Sequence, residues 1–140
     1  MNIRPINIET ELPAVRGWWE SRGTPMPAAA FLSAEGFVAE HDGALVAASW
    51  LYVVPGTQGG IGVVEFTGSN PAFAASPELV DGLKALYARL EERAWALGCG
   101  SLLSFVAPNS WEQRTFARAG WQDLTGGKPH LTYGKVAPCP

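Results

Sequence analysis

Apolar residues along this chain recur with two periods, three-to-four and two, and the stretches are punctuated by Gly, Pro and Asp-Gly signals. Residues 2–8 alternate imperfectly around Pro5, which predicts an edge strand or its lead-in. Leu12, Val15, Trp18 and Trp19 share a helical face, predicting a helix capped by Thr10 that runs to about Arg22 and stops at Gly23. Thr24-Pro-Met-Pro breaks the chain, and residues 28–32 can form a further helical turn. Residues 36–40 and 44–54 read as strands joined by His41-Asp42-Gly43, since Asp-Gly tolerates the positive φ of a tight hairpin. A glycine-rich loop then leads to a strand over 61–67, ended by Gly68-Ser-Asn-Pro71. Ser76-Pro77-Glu78 marks a helix start: a capping hydroxyl, Pro at the first position and an acid near the positive end of the dipole. Its stripe of Leu79, Leu83, Leu86, Leu90, Ala94 and Leu97 runs to Gly98. The run Leu102-Leu103-Ser-Phe105-Val106 predicts a central strand, followed by a helix over 110–119 and strands over 121–124 and 131–136. The order β-α-(α)-β-β-β-α-β-α-β-β predicts an α/β (α+β) protein with a mixed sheet flanked by helices.

Composition narrows the class. With 140 residues, 47% hydrophobic, the chain is expected to form a single domain over 1–136 with a flexible tail at 137–140. A net charge of −3 without a Lys/Arg run gives no electrostatic footprint for nucleic acid. No uninterrupted apolar stretch is long enough to cross a membrane and no signal-peptide order is visible, so a cytoplasmic protein is expected. Cys99 reads as a buried structural thiol, Cys139 lies in the tail, and two Cys with two scattered His make no metal cluster. His41 falls in the predicted turn, and His130 near the last strand.

The stretch Asn109-Ser-Trp-Glu-Gln-Arg-Thr-Phe116-Ala-Arg-Ala-Gly120-Trp121 follows the apolar strand directly. Strand, Asn, an aromatic seven residues on and then Gly-aromatic resembles the closing block of the GNAT superfamily, the acyl-CoA-dependent N-acetyltransferases. The element order matches that family over nearly the whole chain. The resemblance implies a mostly antiparallel central sheet and an N-acyltransferase that takes acetyl-CoA or another acyl-CoA.

That reaction needs a deprotonated amine, a thioester held beside it and an outlet for the thiolate. Glu65 is the only ionisable residue in Ile61-Gly-Val-Val-Glu65-Phe-Thr67, so its carboxylate must be solvated, paired or raised in pKa. The resemblance makes it the general base; a paired edge carboxylate is the other reading. Along the donor, the resemblance implies the backbone of Phe66, Thr67 and Gly68, with Ser76 at the helix start, Asn109 and Phe116. Capping of the following helix is the commoner job for Asn109, and a core aromatic on a helix face is the favoured reading of Phe116. Phe116 stands where many members carry a Tyr that protonates the thiolate, which leaves water, Ser110 or Tyr133 for that task. The family's Gln/Arg-x-x-Gly-x-Gly/Ala diphosphate loop has no counterpart in residues 70–82. Glu78 and Asp81 stand there instead and Pro77 removes an amide, so this helix end reads as self-capped. Trp18, Trp19, Trp50 and Tyr52 are the candidates to line an acceptor site. Adjacent Trp18 and Trp19 point about 100° apart on a helix, so both cannot face the core.

The expected acceptor is a small-molecule amine or a protein amino group, with a homodimer through residues 121–136 as an option. Two other readings remain: a catalytically inactive GNAT-fold module that binds protein, and a phage-type nucleic-acid-modifying member, which would need a basic rim.

Overall fold

The computed structural model describes residues 1–107, 110–125 and, for the backbone alone, 131–136. Its elements run β1 (Asn2–Pro5), α1 (Ile8–Glu20), β2 (Glu35–His41), β3 (Ala44–Val54), β4 (Gly60–Ser69), α2 (Pro77–Ala96), β5 (Cys99–Val106), α3 (Trp111–Arg118), β6 (Gln122–Asp123) and β7 (Leu131–Val136). Single helical turns occur at Ala29–Phe31 and Pro71–Phe73. The order is the one expected from the hydrophobic pattern. The sheet order is β1-β2-β3-β4-β5-β7-β6, with β4 and β5 parallel. The pairs β1·β2, β2·β3, β5·β7 and β6·β7 are antiparallel, so the sheet is mixed and mostly antiparallel.

By contacts the chain divides into two compact units. The first comprises Met1–Leu51 and Phe66–Leu90. Its core is Leu12, Val15 and Trp18 of α1, Phe37 to Ala39, Val46 to Leu51, and Leu83, Leu86 and Leu90 of α2. Burial of every residue from Val46 to Leu51 marks β3 as covered on both faces. At Gly82, α2 comes so near the strands that a Cβ would lie 3.2 Å from Val46 Cγ1 and 3.4 Å from Ala39 Cβ. The β2–β3 hairpin turns at Asp42 and Gly43, with φ of 49° and 80°, the paired left-handed conformation that Asp-Gly favours.

Helix α1 begins earlier than the sequence implied. Its cap is Asn7 and not Thr10: the Asn7 side chain accepts from the N–H groups of Glu9 at 3.1 Å and Thr10 at 3.2 Å. Glu11 in return accepts the Asn7 N–H at 2.8 Å, so donor and acceptor satisfy each other across the first turn. Arg4 then ties three elements together, giving bonds of 3.0 and 2.6 Å to Glu11 and of 2.9 and 2.6 Å to Glu40.

The second unit comprises Tyr52–Glu65 and Glu91–Pro140. Val64, Leu102 and Ser104 face its interior, while Ile61 and Phe105 stay exposed, as strand alternation requires. Helix α3 packs through Phe116, stacked on Trp121 at 4.4 Å between ring centroids and 18° between planes. Ser110 caps α3 by accepting the Gln113 N–H at 3.1 Å, so the capping role considered for Asn109 belongs to Ser110. Asn109 itself, His130, Cys139 and the proposed tail lie outside the described residues.

Candidate functional site

The ladder from β4 to β5 runs from Gly60–Cys99 to Val64–Ser104. Glu65 follows, half-buried, and Phe66 then takes a φ of 54° inside the strand. For a residue with a Cβ this left-handed conformation costs about 1–2 kcal/mol, so it persists only where the surroundings impose it. It also turns the flanking peptide planes away from regular strand geometry.

Several contacts hold this segment. Trp19 of α1 meets the Phe66 ring edge-on, with centroids 5.9 Å apart and planes at 61°. Its indole lies directly on Gly68, where a Cβ would stand 2.7 Å from Nε1 and 3.1 Å from Cδ1. Trp19 Nε1 is buried there without a hydrogen-bond partner. Ser49 of β3, wholly buried, shares a hydroxyl–hydroxyl bond of 2.8 Å with Thr67. Asn70 closes the strand: its N–H reaches Val46 O at 2.9 Å and its side-chain amide reaches Leu45 O at 2.8 Å. Arg22 donates to the carbonyl and the hydroxyl of Ser69. These anchors join residues remote in sequence; a Ser within Ala47-Ala48-Ser49-Trp50 and the strand-ending Asn before Pro71 are the local signals for two of them.

Beyond the strand, six amides between residues 72 and 80 bond locally. Asn70 Oδ1 accepts from Ala72 at 3.0 Å; Phe73 donates to Asn70 O at 3.0 Å, Ala74 to Pro71 O at 3.1 Å and Ser76 to Phe73 O at 3.0 Å. Ser76 caps α2, its hydroxyl oxygen accepting from Leu79 at 3.2 Å and its carbonyl from Val80 at 3.4 Å. The Glu78 carboxylate accepts its own backbone N–H and the Ser76 hydroxyl, which hold it below the usual carboxylate range. A diphosphate at a helix N-terminus relies on amides of this kind. Those of Ala72, Phe73, Ala74, Ser76, Leu79 and Val80 already have acceptors, and an anionic carboxylate stands among them. The residues present do not fit a diphosphate cradle.

The remaining candidates divide between packing and exposure. Phe66, Thr67 and Gly68 lie together on β4 and Ser76 caps α2. Phe116 is buried against Trp121 and carries no hydroxyl. Trp18 is buried in α1, whereas Trp19 is half-buried, so the adjacent pair splits as the helical geometry requires. Trp50 is wholly buried with its indole over Gly36, its cross-strand partner, and Tyr52 is half-buried on the same strand. Burial pushes the Cys99 thiol up from its ordinary value. Among the described residues no group of three or more His, Cys, Asp or Glu could hold a metal ion, and no helix is long and apolar enough to cross a membrane.

No protein-family model and no curated protein sequence matches the chain. Solved structures do. A Mycobacterium tuberculosis protein in complex with CoA superposes with a TM-score of 0.70 at 16% identity, over 99% of this chain and 100% of that one. The ribosomal-protein-alanine N-acetyltransferase of Brucella melitensis gives 0.69 at 16% identity, over 98% of this chain and 100% of that one. N-acetylglutamate synthase of Neisseria gonorrhoeae, complexed with coenzyme A and N-acetyl-glutamate, gives 0.73 at 17% identity, over 99% of this chain and 35% of that one. The present chain thus spans about a third of that synthase. Identities this low establish shape and not chemistry: the protein has the GNAT fold, in a divergent sequence.

Proposed function

We propose that the protein transfers an acyl group from a thioester to an amine at the kinked segment of β4. The observation that carries this reading is the left-handed Phe66 within β4, held by Trp19 and preceded by Glu65. The donor's carbonyl and its amide-bearing arm would lie along the backbone of Phe66, Thr67 and Gly68, in the manner of a peptide added to a strand. The amine nitrogen attacks the thioester carbonyl, the C–N bond forms and the C–S bond breaks. Glu65 takes the amine proton, directly or through a water, and the thiolate leaves and is protonated by solvent. A thiolate is a weak enough base, with an ordinary thiol pKa near 8.5, to leave without an acid catalyst. The absence of a hydroxyl at Phe116 is therefore compatible with turnover.

The fold neighbours solved with CoA support an acyl-CoA thioester as the donor class, with acetyl as the first acyl group to test. Neighbours whose names specify glutamate and a ribosomal-protein alanine support an amine acceptor, either a small molecule or a protein amino group. Trp19, half-buried beside Phe66, would form one wall for that acceptor.

The test is acetyl transfer from a thioester to a panel of amines by the protein and by Glu65→Gln. Loss of a general base lowers kcat/KM by about 10²- to 10⁴-fold while leaving donor affinity in place. Activity of the variant within threefold of the parent would remove Glu65 from the mechanism. No turnover and no donor binding would return the molecule to the reading of a binding module.

A further inference from the structure

We infer that the donor is recognised as a neutral acyl-pantetheine thioester and not through a diphosphate; this rests on the acyl-transfer reading and names its substrate class more narrowly. The N–H groups of Ala72, Phe73, Ala74, Ser76, Leu79 and Val80 all have acceptors within residues 70–76. Pro77 has no N–H, and Glu78 stands beside it in the first turn of α2. A phosphate arriving here would have to displace several of these bonds at once. It would also face the charge of Glu78 in the first turn of α2 and of the exposed Asp81 within the next. Glu78 already complements the helix dipole, so the field that elsewhere draws an anion to a helix N-terminus is answered by the chain itself. Arg22, the cation bonded to the end of β4, directs one arm at the Ser69 carbonyl and hydroxyl.

The pantetheine arm makes different demands. It is uncharged, carries two amides and an alkyl chain, and asks for backbone groups on a strand and an apolar wall. Thr67 and Gly68 supply the first, and the Trp19–Phe66 pair the second. Such a thioester can come from free CoA, with its diphosphate left in solvent, or from a pantetheine arm on a carrier protein.

Calorimetric titration with CoA, with pantetheine and with inorganic diphosphate separates the possibilities. The inference expects CoA and pantetheine to bind with dissociation constants within about threefold, millimolar diphosphate to give no heat, and Arg22→Ala to leave the ratio unchanged. Charge-assisted bonds to a diphosphate would together favour CoA by roughly a hundredfold or more. CoA binding at least thirtyfold more tightly than pantetheine, or displacement by diphosphate, would overturn the inference and leave the acyl-transfer reading intact. Binding of neither CoA nor pantetheine would overturn both. Kinetics with acetyl-CoA and with an acetylated carrier protein then tells the sources apart. A tenfold or greater kcat/KM for the carrier assigns the bound arm, and parity assigns the free thioester; both uphold recognition without the diphosphate.

Discussion

Gly68→Ala is the sharpest perturbation of the β4 segment. Its Cβ would stand 2.7 Å from Trp19 Nε1 and 3.1 Å from Cδ1, where ordinary contact begins at 3.4 Å. To regain ordinary contact the indole must retreat by 3.4 − 2.7 = 0.7 Å. It is a rigid ring packed edge-on against Phe66, so it cannot yield by a simple rotation of its far end. Overpacking costs about 1–3 kcal/mol, and a rigid ring that cannot turn aside puts this site in the upper part of that range, about 2–3 kcal/mol. Part of that returns if the displaced, unpartnered Nε1–H reaches water, a gain of about 1 kcal/mol. The net loss is about 1–2 kcal/mol, or roughly 3–6 °C in Tm for a domain of this size. Thermal unfolding of a double-mutant cycle with Trp19→Leu reads the contact directly. With the indole gone, the alanine should cost less than about 0.5 kcal/mol, giving a coupling near 1 kcal/mol. Pantetheine affinity should also fall about tenfold in the single variant, since the apolar wall has moved, a loss of about 1.4 kcal/mol. A Tm loss under about 1 °C, or an equal loss in both backgrounds, would refute the contact and the role given to it.

Other positions give independent readouts. Arg4→Met leaves the Glu11 and Glu40 carboxylates partly buried without their guanidinium, and should cost about 2 kcal/mol at neutral pH, seen as a Tm fall of about 6 °C. The bond from Arg4 is the main cause holding the Glu11 carboxyl below its ordinary range, opposed by burial. The stabilisation is thus complete above the unfolded carboxylate pKa and lost as pH falls through the depressed folded value. The gap between parent and variant should narrow below about pH 4, and a gap constant with pH would count against the pairing. Ser76→Ala removes the α2 cap and should cost about 1 kcal/mol in chemical denaturation, with no gain in CoA affinity from the Leu79 amide it frees. A marked rise in affinity for CoA, but not for pantetheine, would mean that this helix end can serve a phosphate after all.

What could be read from the sequence was local. Ser76-Pro77 at the head of α2 and Asp42-Gly43 in the hairpin work through atoms a few residues away, and both appear where the residues placed them. Competition between nearby caps was harder: Asn7 prevails over Thr10 because Glu11 closes the exchange and Arg4 fixes Glu11 from another strand. Contacts remote in sequence were invisible. Nothing in Phe66 favours a left-handed φ; the residues that hold the segment, Trp19, Ser49, Asn70 and Arg22, come from elsewhere in the chain. Trp50 offered the same aromatic character as Trp19, yet its cross-strand partner Gly36 gives it a place in the core. The self-capped head of α2 was legible from Pro77 and Glu78, whereas the use of the preceding amides depended on the turn at Pro71–Phe73.

The most direct test of acyl transfer supplies S-acetyl pantetheine with an isotopically labelled acetyl group and a mixture of amines, and follows the label by mass spectrometry. The account predicts label in an amide product, with one thiol released per amide, and loss of both with Glu65→Gln. Label remaining in the donor, or appearing only as acetate at equal rates for the protein and the variant, would contradict it.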